Sequence, residues 1–168
     1  MPDEEKTLAI AKRTRKNLDF IYSVKGDGAD VEEFTHLLNS MLCMVICLRE
    51  EYFKGKEVSW DDLIKKGLTP VYIAETAPSA DLPKLKSHSS FSQLISSIRH
   101  EFAHNCFKLS GDSANKITGI TIWNVLPHKK DIGINRSWQA EITEQQLKDL
   151  AYLFIDYICY EFGPITQT

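Results

Sequence analysis

No hydrophobic run in this sequence is long enough to cross a membrane, because the most apolar stretch spans only residues 41–48. The N-terminal residues are acidic and lack an apolar segment, so we expect no signal peptide. The four cysteines form no Cys-x-x-Cys pair and lie within apolar runs, as small hydrophobic side chains do in a reducing compartment. These absences predict a cytoplasmic protein without a membrane partner.

An excess of positive charge is also missing. The 168 residues carry a formal net charge of −3, so bulk electrostatics provide no attraction to nucleic acid. Any site for a polyanion must therefore come from local clustering of basic groups. The chain has no internal repeat and no low-complexity segment, and its length suits one domain, residues 1–168, with a real hydrophobic core.

Hydrophobic periodicity indicates helices in the first half of the chain. Apolar residues with helical spacing predict one helix over residues 8–24. Asp30, followed three residues later by Glu33, resembles a capping box and predicts the start of a second helix, which is apolar on more than one side. A short helix is predicted over residues 60–66, and residues 67–89 are expected to be mostly irregular.

The second half of the chain predicts two more helices with strands between them. Ser90, with glutamine three residues later, opens a helix that is expected to close near residues 110–112. Residues 117–125 and 137–142 are rich in β-branched or alternating apolar residues and predict a hairpin. Thr143, again followed by glutamine, opens the last helix. We expect an all-α fold, a helical bundle of about four main helices with a small β-hairpin between the last two.

The most informative segment lies on the helix predicted from Ser90 and reads Arg-His-Glu-Phe-Ala-His over residues 99–104. One interpretation of this segment is a zinc site. His100 and His104 are four residues apart, about 40° around a helix, so two imidazoles can share one metal ion. Glu101 would then be the general base of a metal-dependent hydrolase.

The surroundings of the motif do not favour the zinc interpretation. A zinc hydrolase needs a third protein ligand, but Phe107 and Ser110 stand where glycine and histidine are expected. Glu141 and Glu144 are acids further along the chain that belong to no recognisable ligand motif. Strands usually precede the motif helix in such enzymes, whereas here they follow it. A zinc hydrolase therefore stays the weaker alternative.

The same helix has two distinct faces on a helical wheel. Apolar residues fill one face, and the opposite face carries a strip of small, semi-polar and aromatic residues: Ser96, His100, Ala103 and Phe107. Arg99 and His104 flank this strip. A face exposed only to solvent would more often carry lysine and glutamate, so we expect the strip to meet another surface. A second copy of the chain is the simplest partner, and another helix of the same chain is the alternative.

Several segments together resemble a known family. They are the run Ile98-Arg99-His100-Glu101-Phe102-Ala103-His104, the hairpin segments Ile120-Thr121-Ile122-Trp123-Asn124 and Trp138-Gln139-Ala140, and the helix start Ile142-Thr143-Glu144. This combination resembles the HEPN superfamily, the helical domains of many prokaryotic defence and toxin systems. It is most similar to the plasmid-encoded branch with a β-hairpin insertion before the last helix. The resemblance is best over residues 90–162.

The resemblance implies a metal-independent endoribonuclease without a cofactor or metal ion. Two copies would form a homodimer in which Arg99, His100 and His104 line one catalytic cleft. RNA would be the substrate, the products would carry 2′,3′-cyclic phosphate and 5′-hydroxyl ends, and an antitoxin protein is a possible partner. The alternative within the family is a non-catalytic RNA- or protein-binding module.

The hairpin offers a second set of candidate contacts to RNA. Basic side chains in and beside its loop can track phosphates or simply be solvated: His128, Lys129, Lys130 and Arg136. Trp123 and Trp138 can stack on bases, but their positions on alternating strands are more typical of core packing. His36 and His88 have no partner visible in the sequence and receive no role.

Overall fold

The computed structural model describes residues 3–52, 56–76, 88–113, 116–125 and 136–163. Within these ranges the elements, in chain order, are α1 (Asp3–Gly26), α2 (Glu33–Tyr52), α3 (Trp60–Lys65), β1 (Ala74–Thr76), α4 (Phe91–Ala103), β2 (Phe107–Gly111), β3 (Ile117–Val125), β4 (Arg136–Thr143) and α5 (Glu144–Phe162). Helices and strands contribute to the same hydrophobic core, so the fold belongs to the mixed α+β class.

The expectation of an all-α fold is wrong, because the described strands form an antiparallel sheet in the order β1-β4-β3-β2. The predicted hairpin forms the centre of this sheet, where β3 and β4 pair with Ile122 opposite Ala140. The two edge strands were missed. β1 has three residues and mostly exposed side chains, so it gives no apolar alternation in the sequence. β2 alternates apolar and polar residues from Phe107 to Ser110, but it lies within the span that was predicted as helix.

α4 also ends earlier than predicted, at Ala103 rather than near residues 110–112. Asn105 adopts a left-handed conformation with φ of 56°. The amide of Cys106 donates to the carbonyl of Glu101 at 2.8 Å, and the amide of Asn105 donates to the carbonyl of Phe102 at 3.1 Å. These two bonds form a Schellman motif, which closes the helix and turns the chain into β2.

The predicted cap of the second helix is wrong as well. α2 begins at Glu33, three residues after Asp30, and Glu33 is buried. Its carboxylate pairs with Lys25 Nζ at 3.3 Å and with Lys116 Nζ at 2.9 Å. Burial opposes the charge on Glu33, but the hydrogen bonds, first that from Lys116, outweigh burial and lower the pKa of the carboxyl. Glu33 therefore forms ion pairs and does not form a capping box with Asp30.

The predicted caps of α4 and α5 are confirmed. Ser90 Oγ accepts from the amide of Gln93 at 3.3 Å. Thr143 and Gln146 form a complete capping box, in which each side chain accepts from the backbone amide of the other. The sequence therefore placed the first residue of each of these helices correctly.

The core lies between the helices and the inner face of the sheet. α4 contributes side chains that are at most 1% exposed: Phe91, Leu94, Ile95 and Ile98. The Phe91 ring lies 6.0 Å from that of Phe154 and 6.1 Å from that of Tyr157, both on α5. Since burying one such side chain stabilises a fold by about 1.5–3 kcal/mol, the core fixes α4 firmly and thereby positions its exposed C-terminal end. Within the described ranges, no helix is long and apolar enough to span a membrane.

Candidate functional site

The C-terminal end of α4 presents two imidazoles on the surface. His100 and His104 are exposed, and their ring centroids lie 4.4 Å apart with an interplanar angle of 56°. Arg99 is half-exposed on the preceding position. The three side chains that the sequence singles out are therefore all accessible from solvent.

His104 lies at the C-terminal boundary of α4. It is the C-cap residue of α4, with φ of −97° and ψ of 7°, and its amide donates to the carbonyl of His100 at 3.1 Å. Helix geometry separates Arg99 from His104 by about 140° around the axis and about 7.5 Å along it. The guanidinium and the His104 imidazole therefore flank His100 rather than stack on one line.

Glu101 points into the protein. The residue is 3% exposed, and its carboxylate accepts from Asn124 Nδ2 of β3 at 3.0 Å. The Asn124 side-chain oxygen accepts in turn from the Ser137 hydroxyl on β4. Burial raises the pKa of Glu101, despite the hydrogen bond from Asn124. Glu101 thus ties the last turn of α4 to the centre of the sheet.

This placement of Glu101 bears directly on the zinc interpretation. A general base must reach a metal-bound water beside His100 and His104, whereas the Glu101 carboxylate is turned toward Asn124. Among the described residues, no group of three or more His, Cys, Asp or Glu side chains is arranged to hold a metal ion. The donor set that a zinc hydrolase requires is not assembled in this part of the chain.

The predicted strip opposite the core face is only partly present. Ser96 is half-buried, while His100 and Ala103 are exposed. Phe107 does not belong to the strip, because α4 has ended before it. Its ring packs instead against Phe102, with centroids 4.7 Å apart.

Both hairpin tryptophans are buried, with Trp123 9% exposed, but their contacts differ. Trp138 is 4% exposed and donates from Nε1 to Glu75 at 2.9 Å, so it is a core residue. The guanidinium of Arg136 lies over the Trp123 ring at 3.9 Å from its centroid. The basic loop residues of the hairpin, His128, Lys129 and Lys130, lie outside the described residues.

The sequence missed a hydrogen-bonded network around His88. His88 Nδ1 lies 3.0 Å from Glu75 Oε2, and His88 Nε2 lies 2.7 Å from the Ser97 hydroxyl. These contacts join β1, the segment before α4, and α4 itself. No local pattern connects the three residues, because they are separated by 13 and 9 positions along the chain.

An Arg-His-x-x-x-His run lies at the exposed end of α4, and the paired strands β3 and β4 stand between α4 and the last helix, as the HEPN resemblance implies. The family model described as HEPN pEK499 p136 matches residues 1–162, and the chain belongs to this family. The resemblance to the plasmid-encoded HEPN branch is therefore confirmed. No curated protein and no solved structure matched the chain.

Proposed function

We propose that this chain is a metal-independent endoribonuclease of the HEPN type, acting as a toxin or defence protein. The observation that carries the proposal is the exposed imidazole pair of His100 and His104, with the half-exposed Arg99 beside it on the same helix. Membership of the HEPN pEK499 p136 family is consistent with a nuclease or RNA-binding role.

The proposed reaction needs two proton transfers. The 2′-hydroxyl of one nucleotide loses its proton, its oxygen attacks the adjacent phosphorus, the P–O5′ bond breaks and the leaving 5′-oxygen gains a proton. Imidazole can accept one proton and donate the other near neutral pH. We assign this role to His104, with His100 orienting the substrate or the second imidazole. The products are a 2′,3′-cyclic phosphate and a 5′-hydroxyl.

Arg99 is assigned to the phosphate. The attack places negative charge on the non-bridging oxygens of the pentacoordinate phosphorus. A guanidinium offers a planar set of donors that can hold two of these oxygens at once. Arg99 and His100 are successive residues about 100° apart around the helix, so the long arginine side chain must reach across for both groups to contact one phosphodiester.

A second copy of the chain completes the proposed site. Concerted cleavage needs a base and an acid at the same time, and two copies of α4 facing each other supply two His104 imidazoles. The exposed Ala103 and the half-buried Ser96 lie on the face of α4 that would approach the partner. Light scattering is expected to give about twice the 19.2 kDa mass of one chain. A mass of one chain at assay concentration would contradict the shared site.

The replacement His104→Ala tests the nuclease directly. A mixed-sequence RNA is incubated with each variant, and the product ends are identified by mass spectrometry. Loss of one general acid–base group lowers the rate by about 10²–10⁴-fold, so cleavage should fall below detection while circular dichroism and mass stay unchanged. His36→Ala, an exposed histidine of α2, is the matched control and should cleave normally. Undiminished cleavage by His104→Ala would refute the assignment.

Two further outcomes separate the alternatives. Insensitivity to a chelator is expected for the proposed nuclease, whereas a zinc hydrolase would be inactivated. The net charge of −3 weakens attraction to a polyanion, and this observation favours a non-catalytic module that binds protein. For such a module, cyclic-phosphate ends would not form under any condition, and a stable partner, such as an antitoxin protein, would co-purify.

A further inference from the structure

Three side chains between α4 and the β1 edge of the sheet form a cluster that the proposed nuclease does not use. The Ser97 hydroxyl lies 2.7 Å from His88 Nε2, and His88 Nδ1 lies 3.0 Å from Glu75 Oε2. A hydroxyl, an imidazole and a carboxylate therefore stand in the order found in serine hydrolases, where each group acts on the next.

The carboxylate determines which nitrogen of His88 carries a hydrogen. Burial disfavours the charge on Glu75, but the hydrogen bonds from His88 and Trp138 outweigh burial and hold the pKa of the carboxyl below its ordinary value. An ionised carboxylate only accepts hydrogen bonds, so His88 Nδ1 must be the donor. In the neutral imidazole Nε2 then has a lone pair, and the Ser97 hydroxyl donates to it.

The imidazole of His88 is held in place from several sides. Its ring meets Trp138 edge-on, with centroids 4.9 Å apart and an angle of 86°. The backbone of His88 is fixed as well: its amide donates to Glu75 at 3.0 Å, and its carbonyl accepts from Trp60 Nε1 at 3.1 Å. A base that is held in this way loses little entropy when it takes a proton.

Ser97 itself behaves unusually for a helical serine. A serine inside a helix commonly returns its hydroxyl to a carbonyl of the preceding turn. The Ser97 hydroxyl contacts His88 Nε2 instead. The residue is half-buried, and the His88 side chain keeps 14% of its surface exposed, so both groups border on solvent.

We propose that Ser97, activated by His88 and Glu75, is a nucleophile that takes an acyl group from a small ester. The bond from Ser97 Oγ to the carbonyl carbon forms while the hydroxyl proton moves to His88 Nε2. The ester C–O bond then breaks, and the leaving alcohol departs with that proton. His100 follows Ser97 by one turn, about 5–6 Å away at Cβ, and its imidazole can donate to the oxyanion.

Covalent labelling tests this proposal without RNA. The whole protein is incubated with a small fluorophosphonate, in which Ser97 Oγ would displace fluoride from phosphorus, and the product is analysed by mass spectrometry with peptide mapping. One adduct, on Ser97, is expected, and Ser97→Ala should give none. Ser96→Ala is the matched control, since Ser96 is also half-buried on α4 and its loss leaves the Ser97–His88 pair intact.

The rates of labelling and of ester cleavage test the role of His88. His88→Gln should label at least about 100-fold more slowly, because the general base is missing. With p-nitrophenyl acetate, the wild type should release a burst of one p-nitrophenol per chain, and His88→Gln should not.

Three results would overturn the proposal. They are the absence of both an adduct on Ser97 and a burst, equal labelling of Ser96, and wild-type rates in His88→Gln. Should His88→Gln fail to fold by circular dichroism, the adduct on Ser97 and the burst still decide, and the absence of both is the contradicting result. Failure here leaves the nuclease untouched, since Ser97→Ala is expected to cleave RNA normally and His104→Ala is expected to label normally.

Discussion

α4 contacts the sheet through two polar networks one helical turn apart. Each network contains a largely buried carboxylate, and the pKa of that carboxyl is shifted in opposite directions in the two networks. Below Ser97, Glu75 Oε2 receives the amide of His88, the Nδ1–H of His88 and the Nε1–H of Trp138, at 2.9–3.0 Å. We call this group, with Ser97, the β1 network. It gives Glu75 three donors at one oxygen.

Glu101, four residues after Ser97, has fewer donors. Asn124 Nδ2 donates to it at 3.0 Å, and the Cys106 thiol is a weak second donor. We call this group, with Ser137, the β3 network. Burial raises the pKa of Glu101, whereas the pKa of Glu75 is lowered although burial opposes its charge.

The difference between the networks comes from the donors, since both carboxylates are largely buried. Three N–H donors replace the water that Glu75 loses on folding, and one neutral amide with a thiol does not do so for Glu101. The β1 network therefore holds a stable anion. The β3 network holds a carboxyl that protonates more readily, directly beneath the turn that carries His100 and His104.

Removing Glu75 should have the largest effect on stability. Glu75→Ala leaves three donors of His88 and Trp138 without an acceptor in a largely buried place, and we expect a loss of about 3 kcal/mol. Glu101→Ala leaves the Asn124 amide unpaired but also removes an unfavourable buried charge, so about 1–2 kcal/mol is expected. Urea denaturation measures both values. Equal losses in the two variants would remove the distinction between the networks.

The pH dependence of stability should have opposite sign in the two networks. The folded-state pKa of Glu75 lies below its ordinary value near 4.5, so its contribution is present above that value and is lost as the pH falls through the folded pKa. The deficit of Glu75→Gln, about 2 kcal/mol at neutral pH, should therefore shrink in acid.

For Glu101 the folded-state pKa lies above the ordinary value near 4.5. The stability associated with its protonated form is complete below that value and is lost as the pH rises through the folded pKa. Glu101→Gln keeps an oxygen for Asn124 and removes the charge, so it should be as stable as the wild type or up to about 1 kcal/mol more stable at neutral pH. This gain should vanish in acid. Denaturation between about pH 3 and 7 checks both slopes, and parallel slopes would contradict the comparison.

The end of α4 provides a smaller test of the β3 network, which depends on the turn at Asn105. Asn105→Ala places an alanine at φ of 56° and should cost about 1 kcal/mol, whereas Asn105→Gly should be neutral. Thermal unfolding of the two variants measures the difference. If alanine and glycine are equivalent there, the Schellman closure does not determine where the helix stops.

The sequence predicted those elements whose signals are local. β3 was predicted with its observed bounds, and the caps at Ser90 and Thr143 were placed correctly, because a capping side chain and its target lie three residues apart. The length of α4 was overestimated because Asn105 is a weaker stop signal than Gly111, which stands six residues later. β2 was not predicted because the helix prediction extended over its residues. β1 was not predicted because it is short and mostly exposed.

The candidate site shows the same difference between signals that are local in the sequence and contacts that form only in the fold. A run of six residues was enough to select Arg99, His100 and His104, whose chemistry stays a prediction. The partners of Glu101 and His88 could not be read from the sequence. Glu101 pairs with Asn124 across 23 positions, so only the folded sheet brings them together. His88 looked isolated for the same reason.

The smallest effect is expected for a polar contact that touches neither network. Arg136 lies over the Trp123 ring at 3.9 Å from the centroid, and Trp123 points to the opposite face of the sheet from its inward-facing neighbour Ile122. An Arg136→Gln change removes this cation–π contact together with the 2.9 Å hydrogen bond from Arg136 Nη1 to Gln139 Oε1, and it should cost about 0.5–1 kcal/mol. Urea denaturation followed by tryptophan fluorescence measures the loss. A loss as large as that of Glu75→Ala would mean that the outer face of the sheet, rather than the donors around Glu75, sets the stability of this region.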